Sequence, residues 1–154
     1  MQIHNLAPRD WFKAIAVGIA TAILLSLVMV SALKIGISPL PKPLGLAFAE
    51  TVFGRPLPLP VGLLFHVVYV TFWSTAFVVL FRDALDFGKA MMLALVLWIG
   101  VLVVFFPLVG WGVLGLAVTP KLIVASFVPH FLFAAFLWAL CHYAFDELPS
   151  QELS

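Results

Sequence analysis

Four long stretches without aspartate, glutamate, lysine or arginine dominate this 154-residue chain. They contain 20, 21, 31 and 24 residues, and they cover positions 14–33, 61–81, 90–120 and 122–145. About 20 helical residues, at ~1.5 Å each, span the ~30 Å hydrocarbon core of a bilayer. The stretches therefore predict an all-α fold, an integral membrane four-helix bundle that forms a single transmembrane domain over residues 1–154.

The lengths of the stretches set the expected helix ends. The predicted helices cover residues 14–34, 61–82, 90–110 and 126–145. As one helix the third stretch would be ~46 Å long, more than the bilayer needs, so the third helix is expected to end between Pro107 and Gly112. The fourth is expected to have Ser126 as its N-cap and Pro129 in its first turn, where no N–H is needed. Together they would form two helical hairpins of similar design.

Composition agrees with a lipid environment, because 64% of the residues are hydrophobic and only 10% are charged. The net charge is +1, and the charged residues lie mostly at the ends of the stretches and in an acidic tail of residues 146–154. No basic face is available to nucleic acid, which excludes that class of partner. The lipid bilayer is the expected partner of most of the surface.

Charge hardly determines the direction of insertion. Four basic residues are predicted on the side of the termini and four on the opposite side. Arg9 and Lys13 directly precede the first helix, which usually dominates orientation. This placement favours cytoplasmic termini.

The first predicted helix carries a stripe of small side chains. Gly18, Ala22 and Ser26 recur at intervals of four and therefore share one face. In lipid such a stripe lets two helix backbones approach closely. We expect this face to pack against another helix of the same bundle, and an interface to another chain is the alternative.

The predicted loop of residues 35–60 contains the pattern Pro-Leu-Pro-x-Pro-apolar-Gly twice, beginning at Pro39 and at Pro56. Alternating prolines predict stiff, extended arms around a short interfacial helix over residues 46–53. The segment is either a lid over helix ends or a docking surface for a partner subunit, since stiff segments lose little entropy on binding. The residues proposed for docking are Pro41, Pro43, Glu50, Pro56 and Pro58.

Two histidines are the only pair of residues in the predicted spans that suggests a chemical function. His66 and His130 each precede a pair of charged residues by 16 positions, so parallel helices would place them at one depth. Intramembrane histidines are often functional, and imidazole ligates haem iron and metal ions. The pair predicts either interfacial histidines in first helical turns, ligands of a b-type haem or a metal, or contacts to a quinone or lipid head group. Tyr69, Trp73 and Phe133 would be the apolar walls.

Motifs for catalysis and nucleotide binding give no support for an enzyme. Gly110, Gly112 and Gly115 match G-x-G-x-x-G, but the dinucleotide fingerprint also needs a preceding strand and an acidic residue about 20 positions on. Neither is present. The sequence also lacks G-x-S-x-G, H-E-x-x-H, a P-loop and paired carboxylates within the spans. A non-catalytic protein without a nucleotide partner is predicted.

Several motifs together resemble one group of known proteins. They are the small-residue first helix, the proline-framed loop, His66, the Pro-x-x-Gly-x-Gly-x-x-Gly pattern of residues 107–115 and the His-x-x-Phe-Ala pattern of residues 130–134. Over most of residues 14–145 the chain resembles small uncharacterised four-helix membrane proteins of bacteria. The resemblance implies the fold and a multi-pass location in the cell inner membrane, and it transfers no catalytic residue.

Three functions are left open by the sequence. The apolar body and rigid cap favour an accessory or structural subunit of a larger membrane complex, such as a respiratory or electron-transfer assembly. The alternative is a membrane redox module that binds haem, a metal or a quinone through His66 and His130. The third is a small transporter of an apolar substrate. An ionic substrate is disfavoured, because ion paths need intramembrane ionisable groups and the spans offer only histidine.

Overall fold

The computed structural model describes residues 7 to 145, and every regular element in this range is helical. The five helices are α1 Pro8–Lys34, α2 Leu44–Phe53, α3 Leu59–Phe81, α4 Phe87–Leu108 and α5 Lys121–Phe145. All except α2 are long and apolar enough to cross a membrane. The predicted all-α bundle with four long helices is confirmed. The predicted tail, residues 146–154, lies outside the described residues.

Residues of the first turn explain why α1 and α4 begin earlier than predicted. α1 begins at Pro8 instead of residue 14, because a proline is favourable in the first helical turn and Asp10 there complements the helix dipole. α4 begins at Phe87 instead of residue 90, because the carboxylate of Asp86 accepts a hydrogen bond from the N–H of Lys89 at 2.9 Å. Both starts extend the helices beyond their uncharged stretches.

The largest correction concerns the start of α5. This helix begins at Lys121, where the hydroxyl and carbonyl oxygens of Thr119 accept hydrogen bonds from the first N–H groups. The expectation that Ser126 is an N-cap and that Pro129 lies in the first turn is therefore wrong. Ser126 is a buried residue within α5, and Pro129 lies in the helix interior. Interior prolines are tolerated in membrane helices, where neighbouring groups satisfy the carbonyl that they leave unpaired.

Two pairs of helices form the bundle. α1 packs along α3, α4 packs along α5, and α1 joins the pairs by packing on α5. Gly18 lies where α1 meets α3, since a Cβ atom on it would be 2.8 Å from the Cα of Thr71. Ala22 is fully buried and Ser26 partly buried on the same face of α1. α3 and α4, although consecutive, make few direct contacts.

The two proline repeats meet in space. Each repeat ends with a glycine near the start of a helix, Gly45 in α2 and Gly62 in α3. A Cβ on Gly45 would be 2.6 Å from the carbonyl oxygen of Gly62, and a Cβ on Gly62 would be 2.6 Å from the Cα of Leu46. Because neither glycine has a side chain, α2 lies directly on the backbone of α3 across one end of the bundle.

α4 contains a π-helical segment, Val101–Phe105, before its last turn. The N–H of Phe106 donates to the carbonyl of Val101, five residues back, and Pro107 follows without an N–H to donate. After α4 the chain turns back through a short 3₁₀ turn, Val113–Gly115, and Trp111 is buried against Phe106 with ring centroids 5.4 Å apart. The wider π turn changes which side chains of α4 face the bundle axis.

Candidate functional site

A cavity of about 580 Å³ lies in the half of the bundle next to α2. All five helices line it, for example through Ser26, Phe48, His66, Val101 and His130. Its volume falls within the roughly 300–1,000 Å³ of sites that bind small molecules. We call it the central cavity.

The lining of the central cavity is apolar apart from six side chains. Only serine, histidine, tyrosine and tryptophan contribute side-chain nitrogen or oxygen, and no aspartate, glutamate, lysine or arginine lines it. The six polar residues are Ser26, His66, Tyr69, Trp73, Ser126 and His130. Such a site suits a molecule with an apolar body and a small uncharged polar group.

The two histidines reach the cavity from opposite hairpins. His66 lies seven residues after the start of α3 at Leu59, and His130 nine residues after the start of α5 at Lys121. At ~1.5 Å per residue they are about 10 Å and 14 Å from those helix starts. The interpretation that placed each histidine in a first helical turn is therefore wrong. Both imidazoles are partly buried and line the same cavity.

His130 is held by a hydrogen-bond network that the sequence did not indicate. Its Nδ1 lies 2.6 Å from the carbonyl oxygen of Ser126, one turn earlier in α5. The hydroxyl of Ser126 donates to the carbonyl of Ile123 at 3.1 Å. The indole Nε1–H of Trp98 in α4 reaches both groups, at 3.1 Å from the hydroxyl and 3.3 Å from the carbonyl. The ring of His130 is thus fixed against the wall formed by α4 and α5.

Two polar atoms of the opposite wall have no such partners. Nε2 of His66 and Oγ of Ser26 are both buried, and neither forms a hydrogen bond within the described part of the chain. Buried polar groups are nearly always paired in folded proteins, and an unpaired one costs about 1–3 kcal/mol. Both residues line the central cavity, so these unpaired atoms lie directly behind its wall.

Aromatic rings form much of the cavity wall. The predicted walls Tyr69, Trp73 and Phe133 all line it. Two rings that were not predicted complete the wall next to α2, because Phe105 lies 5.7 Å from Tyr69 and 5.4 Å from Phe48 between ring centroids. Phe48 comes from α2 and Phe105 from the π segment. Neither placement has a signal in the sequence, since it depends on how α2 docks and where α4 widens.

The lining fits a metal ion or haem poorly. Among residues 7–145 no group of three or more histidine, cysteine or carboxylate side chains could hold a metal ion, whereas a structural zinc takes four ligands and a catalytic zinc three. A haem could use two imidazoles, but its two carboxylates would meet no lysine or arginine in the cavity. A neutral ligand matches the site better.

The proline-rich cap, residues 35–60, is held together by one carboxylate. Glu50 of α2 pairs with the ammonium of Lys42 on the first proline arm at 2.6 Å, and it accepts the N–H of Leu57 on the second arm at 3.2 Å. The hydrogen bond from Lys42 lowers the pKa of Glu50 below its ordinary value of 4.5, and the bond from Leu57 lowers it further. Glu50 is thus engaged within the chain.

The four prolines proposed for docking differ in exposure. Pro41, Pro56 and Pro58 are exposed, and Pro43 lines the central cavity directly before α2. Since Pro43 and Gly45 reach the cavity, the cap forms part of the cavity wall as well as covering helix ends.

Comparison with known proteins finds no matching family model, no matching curated protein and no matching solved structure. The resemblance to small bacterial four-helix membrane proteins therefore stays a prediction. The function has to be argued from the central cavity itself.

Proposed function

We propose that the protein is a non-catalytic, multi-pass membrane protein that binds a neutral, lipid-soluble molecule of the quinone class in the central cavity. The observation that carries the proposal is the convergence of His66 and His130 on one apolar cavity of about 580 Å³. A quinone has an apolar tail, a flat ring that aromatic walls accommodate, and oxygen atoms that imidazole groups can hydrogen-bond. The quinone-binding form of the redox-module hypothesis is thus favoured over its haem and metal forms.

Access from the membrane supports a lipid-soluble ligand. α3 and α4 make few direct contacts, and three lining residues of α3, Leu64, Val68 and Phe72, are each 61% exposed. In a bilayer these side chains would face lipid, so a ligand dissolved in the hydrocarbon core could enter between the two helices without crossing water.

The proposal is compatible with the accessory-subunit hypothesis. A quinone-binding module could serve a larger respiratory assembly of the bacterial inner membrane, with its termini in the cytoplasm. The docking residues suggested for such a partner include Glu50, which is engaged within the chain. An apolar substrate that leaves the cavity on the opposite side would instead make the protein a transporter.

Binding can be tested on the protein in lipid nanodiscs by titration with a short-chain quinone while tryptophan fluorescence is recorded. Trp73 lines the cavity, so a bound quinone should quench its emission with a saturable dependence on concentration. The double variant His66→Phe with His130→Phe should weaken binding about two- to tenfold, because a hydrogen bond from the histidine pair contributes about 0.5–1.5 kcal/mol. Organic extraction and mass spectrometry of the purified protein should recover a co-purified lipid-soluble molecule.

His142→Phe is the matched control. It makes the same chemical change on an exposed position of α5 that does not line the cavity, and it should leave the affinity unchanged. Quenching that never saturates in the wild-type protein, or equal affinities in wild type and double variant, would contradict the proposed function.

A further inference from the structure

We infer that the ligand presents a hydroxyl group that donates a hydrogen bond to Nε2 of His130, so that the cavity prefers the reduced, hydroxylated form of a quinone to its carbonyl form. The inference rests on the proposed function and specifies the chemical form of the ligand. It follows from the hydrogen bonds of three residues on the wall formed by α4 and α5, namely Trp98, Ser126 and His130.

The first step is the tautomer of His130. A backbone carbonyl oxygen can only accept hydrogen bonds, so the 2.6 Å contact to Ser126 requires the proton to be on Nδ1 of His130. In an uncharged imidazole the second nitrogen, Nε2, then has no proton and carries a lone pair. A doubly protonated ring would need a nearby carboxylate, and no aspartate or glutamate lines the cavity.

The second step is that this wall has no donor left to offer. The indole N–H of Trp98 is used on Ser126 and on the carbonyl of Ile123. The hydroxyl proton of Ser126 is used on the same carbonyl of Ile123. A ligand that approaches His130 therefore meets a hydrogen-bond acceptor, and a carbonyl oxygen placed there would face lone pair against lone pair.

The third step concerns the opposite wall. Nε2 of His66 and Oγ of Ser26 are buried without partners in the described chain. A serine hydroxyl can donate, and Nε2 of His66 can donate in the tautomer that carries its proton there. Both atoms are enclosed by protein and present almost no surface to the cavity, so the choice between a hydroxyl and a carbonyl is made at Nε2 of His130.

The preference can be measured with two ligands that differ by one methyl group in place of the hydroxyl proton. A long-chain 4-alkylphenol and its methyl ether share the same tail and ring, but only the phenol can donate, and neither exchanges electrons under the assay conditions. Displacement of a bound quinone from wild-type protein in nanodiscs should show the phenol binding about tenfold more tightly, a difference of ~1.4 kcal/mol. The quinol should exceed the quinone by a similar factor under anaerobic conditions.

Two variants assign the preference to His130. His130→Phe should reduce the ratio of phenol to ether affinity to about one, whereas His142→Phe should keep it near ten. Nitrogen-15 NMR of histidine-labelled wild-type protein provides a measurement without mutation, since it should show the proton of His130 on Nδ1 and a shift of the Nε2 signal when the phenol binds.

The outcomes separate this inference from the proposed function. If quinone, phenol and ether all bind saturably with equal affinity, the hydroxyl preference is overturned and the binding function stands. If none of them binds saturably, the proposed function itself fails. A phenol preference that persists in His130→Phe, or a proton found on Nε2 in the free protein, would overturn the assignment to His130.

Discussion

The half of the bundle around Phe77 and Leu137 and the half around the central cavity are formed by opposite ends of the same four long helices. In the first, which we call the closed half, alanines at the helix crossings let large side chains fill the interior completely. The buried alanines of this core are Ala14, Ala22, Ala90, Ala94 and Ala134. Charged groups stay at its rim, where Arg82 lies 3.6 Å from Asp10 and stacks over the ring of Phe145.

The cavity half has the opposite properties. Prolines lie within its helices or next to their starts, for example Pro43 before α2, Pro107 after the π segment and Pro129 inside α5. Polar side chains such as those of His66, Tyr69 and His130 line its interior. Buried polar atoms without a partner in the described chain occur at Ser26 and His66 in this half and also at Ser74, away from the cavity. Because the same four helices pack tightly at one end, helix packing alone does not account for the cavity at the other end. The difference teaches that the closed half provides stability, whereas the cavity half provides the space that the proposed function requires.

The largest expected effect comes from removing a large buried side chain from the closed half. Phe77→Ala should lower the free energy of unfolding by about 3–5 kcal/mol, since Phe77 is 0% exposed and its removal leaves a hole among tightly packed neighbours. Phe72→Ala on the same helix is the control, because Phe72 is 61% exposed and should cost less than ~1 kcal/mol. Titration with SDS in mixed micelles measures both. Equal losses in the two variants would contradict the distinction between the halves.

The comparison of Phe77 with Phe72 also shows how much of the structure could be predicted from the sequence. The four helices could be predicted from the length of the uncharged stretches, because a bilayer requires spans that are long and uncharged. The sequence also places His66 and His130 at one depth, because they occupy matching positions along parallel helices. The burial of Phe77 and the exposure of Phe72 have no sequence signal. Lipid is as apolar as a protein core, so an α3 residue that faces lipid looks like one that faces the interior.

The remaining failures of prediction concern contacts between segments. Trp98 and Ser126 lie 28 residues apart and were not associated, because their hydrogen bond depends on where α5 begins. The repeated proline pattern was recognised, but the contact of Gly45 with Gly62 depends on how α2 folds back onto α3. Periodicity indicates which residues share a face of a helix, and it does not indicate which helix that face meets.

The second prediction compares two positions one turn apart on α1. Ala22→Leu should lower the free energy of unfolding by about 1–3 kcal/mol, because Ala22 is fully buried and the added carbons have no space. Ser26→Leu adds a similar volume next to the cavity and replaces a buried unpaired hydroxyl, so its stability should stay within ~1 kcal/mol of wild type or rise. The same variant should weaken quinone binding. A large loss of stability in Ser26→Leu would mean that the cavity half is packed like the closed half.

The third prediction tests the docking of α2 on α3. Gly62→Ala should lower the free energy of unfolding by about 1–2 kcal/mol, since the new Cβ would lie 2.6 Å from the Cα of Leu46 and the backbones must separate. Gly100→Ala in α4 is the control, because no atom lies within 4 Å of its Cβ position and a helical alanine should be neutral or stabilising by about 0.5–1 kcal/mol. Opposite signs are expected, and a stabilising Gly62→Ala would mean that α2 does not rest on α3.

The smallest expected effect concerns the carboxylate that joins the two proline arms. Because its hydrogen bonds lower the pKa of Glu50 below 4.5, its contribution is fully present above pH 4.5 and is lost as the pH falls through the lowered folded-state value. At pH 7 the N–H of Leu57 should exchange with deuterium several-fold more slowly in wild type than in Glu50→Gln, and the two should converge once the pH falls below the lowered pKa of Glu50. Leu57 lies between Pro56 and Pro58, which have no N–H, so a short peptide isolates its signal by mass spectrometry.

A difference that persisted in acid would show that the glutamate orders the arms through its shape rather than its charge. Exchange unaffected by the substitution at pH 7 would mean that the proline arms hold the cap over the cavity without it.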